Sequence, residues 1–231
     1  MRHLLHELDL EKHHIVLIQE PWINTYTAEA TTCTDPRYYL CILLAERPRT
    51  AIYVSKAINL DTWRLIPCPE SMTTGDCVTV CLDTPQGELF IHNIYNPPPS
   101  SPSSRDLQTL RHIETLLGHT NGLHFLAGDF NLHHPQWGSD FQPAHHYLAS
   151  HLIEHTAAAE MKLITPKGLT TWARALSSST IDLAFLSEAL TESITSCKVN
   201  DKLICGSDHM PIQTILDIPV QAAVSPKPRP Q

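Results

Sequence analysis

Leu4, Leu5 and Leu8 recur at helical spacing, and the β-branched run Ile15-Val16-Leu17-Ile18 that follows is closed by Pro21. The pattern predicts a short helix feeding a buried strand. Tyr38 to Ala45, Ala51 to Val54, Cys77 to Leu82 and Glu88 to Tyr95 also read as strands, the last two joined by a turn at Thr84-Pro85-Gln86-Gly87. The proline- and serine-rich run from Asn96 to Ser104 cannot continue a sheet. Its serines can cap the helix outlined by Leu107, Leu110, Ile113, Leu116 and Leu117, which ends near Gly118. Leu123 to Ala127 is a further buried strand, followed by a polar loop to Gly138 and a helix around His145 to Ala159. Short strands are predicted near Met161 and Thr170, and over Ile181 to Leu186, Ile194 to Val199 and Pro211 to Leu216. No repeat of fixed period occurs, so the pattern describes one sheet-rich α/β domain over residues 1–218. From Pro219 four prolines remove amide donors, and a disordered tail is expected over 219–231.

Composition adds bounds. An apolar share of 42% and a charged share of 17% suit a chain that buries a core. The formal net charge of −8 argues against holding nucleic acid by charge alone, although carboxylates gathered around a metal would add to that acidity. Seven cysteines include no C-x-x-C pair, and the odd count suggests reduced, intracellular thiols. Cys77 and Cys81 share one strand face and read as small core hydrophobes. The first twelve residues carry too many charges for a signal peptide or a membrane span, so no membrane partner is expected.

Four acidic residues sit at the ends of predicted strands: Glu20, Asp129, Asp182 and Asp208. A strand end holds a side chain rigidly beside a loop that a ligand can approach, and Mg²⁺ or Mn²⁺ requires hard oxygen ligands. Any one of the four alone would be a turn or cap residue. As a set, with Asn131 and His209 beside two of them, they suggest a site for a hard divalent metal.

The ordered words Ile18-Gln-Glu-Pro21, Ile94-Tyr-Asn-Pro97, Gly128-Asp-Phe-Asn131, Ser179-Thr-Ile-Asp182 and Ser207-Asp-His209 resemble the endonuclease/exonuclease/phosphatase superfamily. Within it, Asn131-Leu-His-His-Pro-Gln-Trp-Gly138 and Tyr95-Asn-Pro-Pro-Pro resemble the apurinic-type endonuclease domain of non-LTR retrotransposons. The resemblance implies an α/β sandwich of two packed, mostly antiparallel sheets flanked by helices. It implies a Mg²⁺-dependent DNA endonuclease, Mn²⁺ being possible, with DNA as partner and a nuclear location if active. Glu20 would ligate the metal, with Asp208 on the same ion or its water shell. Asp129 would orient or deprotonate the attacking water. Asn131 and Tyr95 would donate to phosphate oxygens, and His209, oriented by Asp182, would contact the phosphate or move a proton.

Blander roles exist for several of these residues. Tyr95 could pack on prolines and His209 could cap a strand, while Trp137 and Trp172 read as packing residues rather than base platforms. His151-Leu-Ile-Glu-His155 matches a zinc-protease pattern, but chance matches are common among 15 histidines and no third ligand is evident on a following helix. Relatives in the family place an Asn-bearing strand before the first helix. No matching Asn precedes Glu20 here, so a domain truncated at its N-terminus is expected: a fragment, a mis-started gene model or a decayed element. A catalytically inactive nucleic-acid-binding remnant and a phosphatase acting on lipid or nucleotide phosphates are the alternative functions.

Overall fold

In the computed structural model, residues 2–9, 12–24, 31–43, 47–67, 75–99, 108–118, 122–138, 146–203 and 206–222 are described. Helix α1 (Arg2–Glu7) precedes strands β1 (Ile15–Gln19), β2 (Ile23–Asn24), β3 (Thr31–Thr32), β4 (Tyr38–Ile42) and β5 (Thr50–Ser55). Strands β6 (Trp63–Ile66), β7 (Cys77–Thr84) and β8 (Gly87–Tyr95) lead to helix α2 (Gln108–Gly118) and strand β9 (Leu123–Asp129). Helix α3 (His146–Ala158) is followed by β10 (Met161–Leu163), β11 (Trp172–Arg174), β12 (Ser177–Ser179) and β13 (Asp182–Ser187), then by β14 (Ile194–Val199) and β15 (Ile212–Leu216).

Two sheets carry the architecture. One has three antiparallel strands in the order β1-β5-β4, and the other has six in the order β10-β13-β9-β8-β7-β6. Every pairing in the larger sheet is antiparallel except β8 with β9. This is the α/β sandwich expected from the sequence. Strand alternation explains the layers: Val78, Val80 and Leu82 of β7 face Ile52 and Val54 of β5 across the sandwich, forming one core with Leu89 and Ile91. On the other face of the large sheet, Leu110, Ile113 and Leu117 of α2 and Leu148 and Leu152 of α3 pack on Ile94, Leu126 and Phe185. A third cluster sets Leu5 and Leu8 against Tyr38 and Tyr53, which places α1 on the outer face of the small sheet. Each fully buried aliphatic chain contributes roughly 1.5–3 kcal/mol.

One polar residue joins the two sheets. The buried Asn93 of β8 donates from Nδ2 to the carbonyls of Ile18 at 3.0 Å and Ala51 at 2.9 Å, and its Oδ1 accepts from Gln19. The amide therefore satisfies itself only where β8 meets β1 and β5, which fixes how the sheets slide over one another. One position further along β8, Gly128 of β9 lies so close that a Cβ would stand 1.9 Å from the carbonyl oxygen of Ile94. Only glycine fits there.

Several elements depart from the sequence expectation. β6 and the small β2–β3 pair had no clear signal, and the strand expected near Thr170 is the hairpin β11–β12. The expected tail remains attached beyond Pro219: Gln221 accepts from the Asn59 amide at 2.9 Å, Ala222 bridges Ile58, and Ile218 and Val220 pack on the inter-sheet core. Residues 223–231 lie outside the described residues, as do the capping serines of 100–104, Leu107 and His145. Cys77 and Cys81 are both buried, as expected of core residues. Among the described residues no helix is long and apolar enough to cross a membrane.

Candidate active site

Strand register assembles the first part of the site. Tyr95 is paired with Asp129 across the parallel β8–β9 ladder, and Asp129 with Asp182 across the antiparallel β9–β13 ladder. Directly paired residues project to the same sheet face, so the three side chains form one row at the edge of the sandwich. The backbone continues the row, with Asn96 N donating to Asp129 O at 2.8 Å and Phe130 N to Ile181 O at 3.0 Å. Phe130 itself is buried against Phe185 and anchors the Gly-Asp-Phe-Asn turn.

A second ladder brings the distant Ser207-Asp-His209 word to this row. The segment 208–210 adds to β11 through Ala173 N to Asp208 O at 2.9 Å and Met210 N to Thr171 O at 2.7 Å. The Thr171 hydroxyl, fully buried, accepts from the amides of Ile181 and Asp182, both at 3.0 Å, and so ties β11 to the start of β13. His209 Nδ1 then lies 2.9 Å from Asp182 Oδ2, and its Nε2 is 4.0 Å from Asp129 Oδ2.

The electrostatics follow from crowding buried carboxylates. Burial and the neighbouring Asp182 push the Asp129 carboxyl up to about 7, against the pull of His209 and the hydrogen bonds from Asn131. Burial alone would keep His209 neutral, but its hydrogen bond to Asp182 and the charges of Asp182, Asp129 and Asp208 outweigh it and push the imidazole up to about 9. Tyr95 is held well above the usual phenol range by burial, then by the charge of Glu20 and a hydrogen bond with it, with Arg49 opposing.

The sequence-predicted residues are thus brought together in two groups. Asp129, Asp182 and His209 each offer a ligand atom within 4.8 Å of the others. Glu20, just beyond β1, lies close enough to the Tyr95 phenol for its charge to raise the phenol's pKa, and Asp208 Oδ2 accepts from Trp172 Nε1 at 3.0 Å. Asn131, expected to face a phosphate, turns its Nδ2 onto Asp129 Oδ2 at 2.8 Å and the Asn96 carbonyl at 3.0 Å. Glu20 and Asn131 both have left-handed backbones, with φ of 46° and 50°, a conformation that non-glycine residues keep only where surrounding structure enforces it.

Sequence reasoning missed three supporting groups. Thr171 and Trp172 carried a weak signal in the word Thr170-Thr-Trp172. Asn93 was visible as a polar interruption of the apolar run Leu89 to Tyr95. The Arg49–Asp76 ion pair had no local signal at all, its partners being far apart in the chain.

Other clusters have ordinary explanations. Cys81, Asp83 and Glu88 gather closely, but Arg64 pairs with both carboxylates. Trp137 is fully buried with its indole N–H on the Leu132 carbonyl, a packing role. His151 and His155 face Glu154 and Glu114 at 3.9 and 4.0 Å on the surface of α3.

Comparison with known proteins gives a consistent result. The profile of a family described as endonuclease-reverse transcriptase matches residues 89–213. No curated protein sequence matches. Among solved structures, the endonuclease domain of TRAS1, a telomere-specific non-LTR retrotransposon, is similar at a TM-score of 0.69 and 21% identity, covering 93% of this chain and 91% of that one. The AP endonuclease LMAP from Leishmania major has a TM-score of 0.72 at 16% identity, covering 93% and 81%. An AP endonuclease from Archaeoglobus fulgidus has a TM-score of 0.62 at 14% identity, covering 88% and 89%.

Proposed function

Since the chain belongs to the endonuclease-reverse transcriptase family and has the endonuclease/exonuclease/phosphatase fold, we propose that it is a divalent-metal-dependent DNA endonuclease, acting as the target-nicking domain of a non-LTR retrotransposon. The observation that carries this reading is the row Tyr95–Asp129–Asp182 with His209 laid over it. The donor set suits a hard divalent cation because carboxylates dominate it: Asp129 and Asp182 each offer an oxygen within 4.8 Å of a His209 ring nitrogen. Glu20 and Asp208 would hold the ion, Mg²⁺ or Mn²⁺, which when bound would supply charge neutralisation on the scissile phosphate and leaving oxygen.

The chain's own groups divide the remaining work by their protonation. Asp129, poised near neutrality, takes the proton of the attacking water and directs it. His209 stays an imidazolium at neutral pH because Asp182 bonds its Nδ1, leaving Nε2 to donate to a phosphate oxygen as charge develops. The Tyr95 phenol, too weak an acid to ionise, serves as a hydrogen-bond donor to the same phosphate. Asn131 holds Asp129 in its productive orientation through Nδ2 and through its backbone N–H, which donates to Asp129 Oδ1 at 3.0 Å.

Supercoiled plasmid incubated with the purified protein and Mg²⁺ tests the proposal. Conversion to the nicked circle is expected, EDTA should stop it, and Asp129→Ala should abolish it. Plasmid that stays supercoiled with the wild-type chain overturns the reading, and binding without nicking would select a remnant that only holds DNA.

A further inference from the structure

Arg49 stands at the entrance of β5, yet its contacts converge on the site. Its Nη2 donates to Asp76 Oδ2 at 2.6 Å and its Nε bonds the other carboxylate oxygen, forming a two-pronged pair on a buried aspartate. The guanidinium carbon lies 4.8 Å from the centroid of the Tyr95 ring. The backbone repeats the arrangement: Arg49 O accepts from Glu20 N at 2.8 Å, Arg49 N donates to Gly75 O at 2.9 Å, and Asp76 O accepts from Tyr95 N at 2.8 Å. Arg49 and Asp76 together therefore touch both residues that meet across the mouth of the sandwich, Glu20 from the small sheet and Tyr95 from the large one.

We infer that Arg49, clamped by Asp76, is a positioning residue that fixes the Tyr95 phenol against Glu20, an inference that rests on the reading of those two as site residues. A guanidinium is planar and its two-pronged bond to a carboxylate sets that plane, so the face it offers to the tyrosine ring has a defined height and tilt. Lysine in the same place would keep the charge and lose the plane. The left-handed backbone of Glu20 is retained by the bond from its amide to the Arg49 carbonyl, so the same residue governs both sides of the Glu20–Tyr95 contact.

The test is a double-mutant cycle in the plasmid-nicking assay. Arg49→Lys should lower kcat by about tenfold or more while KM changes by less than about threefold, because displaced reacting groups cost turnover rather than binding. In a Tyr95→Phe background the same substitution should cost less than about twofold, since the phenol through which Arg49 acts is already gone. An undiminished cost in that background, or no cost in the wild type, overturns the inference. To separate loss of fold from loss of positioning, Arg49→Met/Asp76→Asn removes the pair without leaving a buried lone carboxylate, and its thermal melting and turnover are read together; turnover at the wild-type level in a folded double variant also overturns it. Should the wild-type chain prove unable to nick DNA, the Tyr95 ring resonances, assigned by their loss in Tyr95→Phe, still report the contact. A shift of those resonances in Arg49→Lys supports the positioning role, and unchanged resonances overturn it whatever becomes of the proposed activity.

Discussion

The His209 imidazole is bonded through Nδ1 to Asp182, at 2.9 Å, while its Nε2 faces Asp129 at 4.0 Å. One carboxylate thus sets the charge and direction of the ring, and the other shares the space in which it would act. Replacing Asp182 by Asn leaves a neutral acceptor and removes the charge that helps hold His209 up to about 9, so burial pushes the other way with less opposition. In metal-free protein the His209 midpoint followed by NMR should fall below its wild-type value, and nicking should drop by roughly 10²–10⁴-fold. A His209 midpoint unmoved by Asp182→Asn would show that the ring's charge has another source.

Asp129 carries the reverse cost. Its carboxyl is raised to about 7 in the fold from an ordinary 3.8, so between those values the folded chain binds more protons than the unfolded chain and loses stability as pH rises. Asp129→Asn should therefore stabilise the metal-free protein at pH 8, by on the order of 1–3 kcal/mol, and do little at pH 4. Urea unfolding at the two pH values measures the difference, and equal effects at both would refute the assignment.

Gly128 permits the close approach of β9 to β8. Gly128→Ala should cost about 3 kcal/mol or more, because the added carbon would stand 1.9 Å from the Ile94 carbonyl oxygen, and neither strand can move alone. Gly118→Ala, with open space around it, should change stability by less than about 1 kcal/mol. Thermal melting of the pair distinguishes a strand-packing constraint from a general intolerance of alanine.

A buried chain of hydrogen bonds on the helix-facing side of the large sheet gives the fold an acid limit. Thr79 Oγ1 bonds His92 Nδ1 at 2.9 Å, and His92 Nε2 bonds His124 Nδ1 at 3.0 Å. Burial, with the nearby His124, pushes His92 down to about 3. The folded value lies below the ordinary 6.5, so this neutral ring contributes full stability above about 6.5 and loses it progressively as pH falls towards 3. The wild-type chain should lose about 2 kcal/mol between pH 7.5 and pH 5 through this group, and His92→Gln should lack that component. Parallel urea curves at the two pH values read it directly.

The legible parts of the molecule are those whose signal is local. Strand periodicity marks Cys77 to Leu82 and Glu88 to Tyr95, and the words around Glu20, Asp129, Asp182 and His209 each lie in a few consecutive residues. What escaped depends on partners distant in the chain. Asn93 is explained only by the carbonyls of Ile18 and Ala51, and Arg49 only by Asp76 and Tyr95. The inward turn of the Asn131 amide was only half readable: Asp129 lies two residues away, but the second acceptor, the Asn96 carbonyl, is delivered by a neighbouring strand. The prolines after 218 concealed the apolar Val220, which with Ile218 holds the chain to the inter-sheet core.

The parallel pairing of β8 with β9 has a kinetic corollary. Parallel neighbours cannot be joined by a tight turn, and here the connection runs through α2 before Asp129 can meet Tyr95. Asp182 and His209 arrive from still later segments, so no hairpin forming on its own contains two members of the row. The carboxylates converge only when the long loops close, late in folding. A chain interrupted during synthesis, or one partly unfolded, therefore presents separate acidic turns, and the assembled row belongs only to molecules that have completed the sandwich.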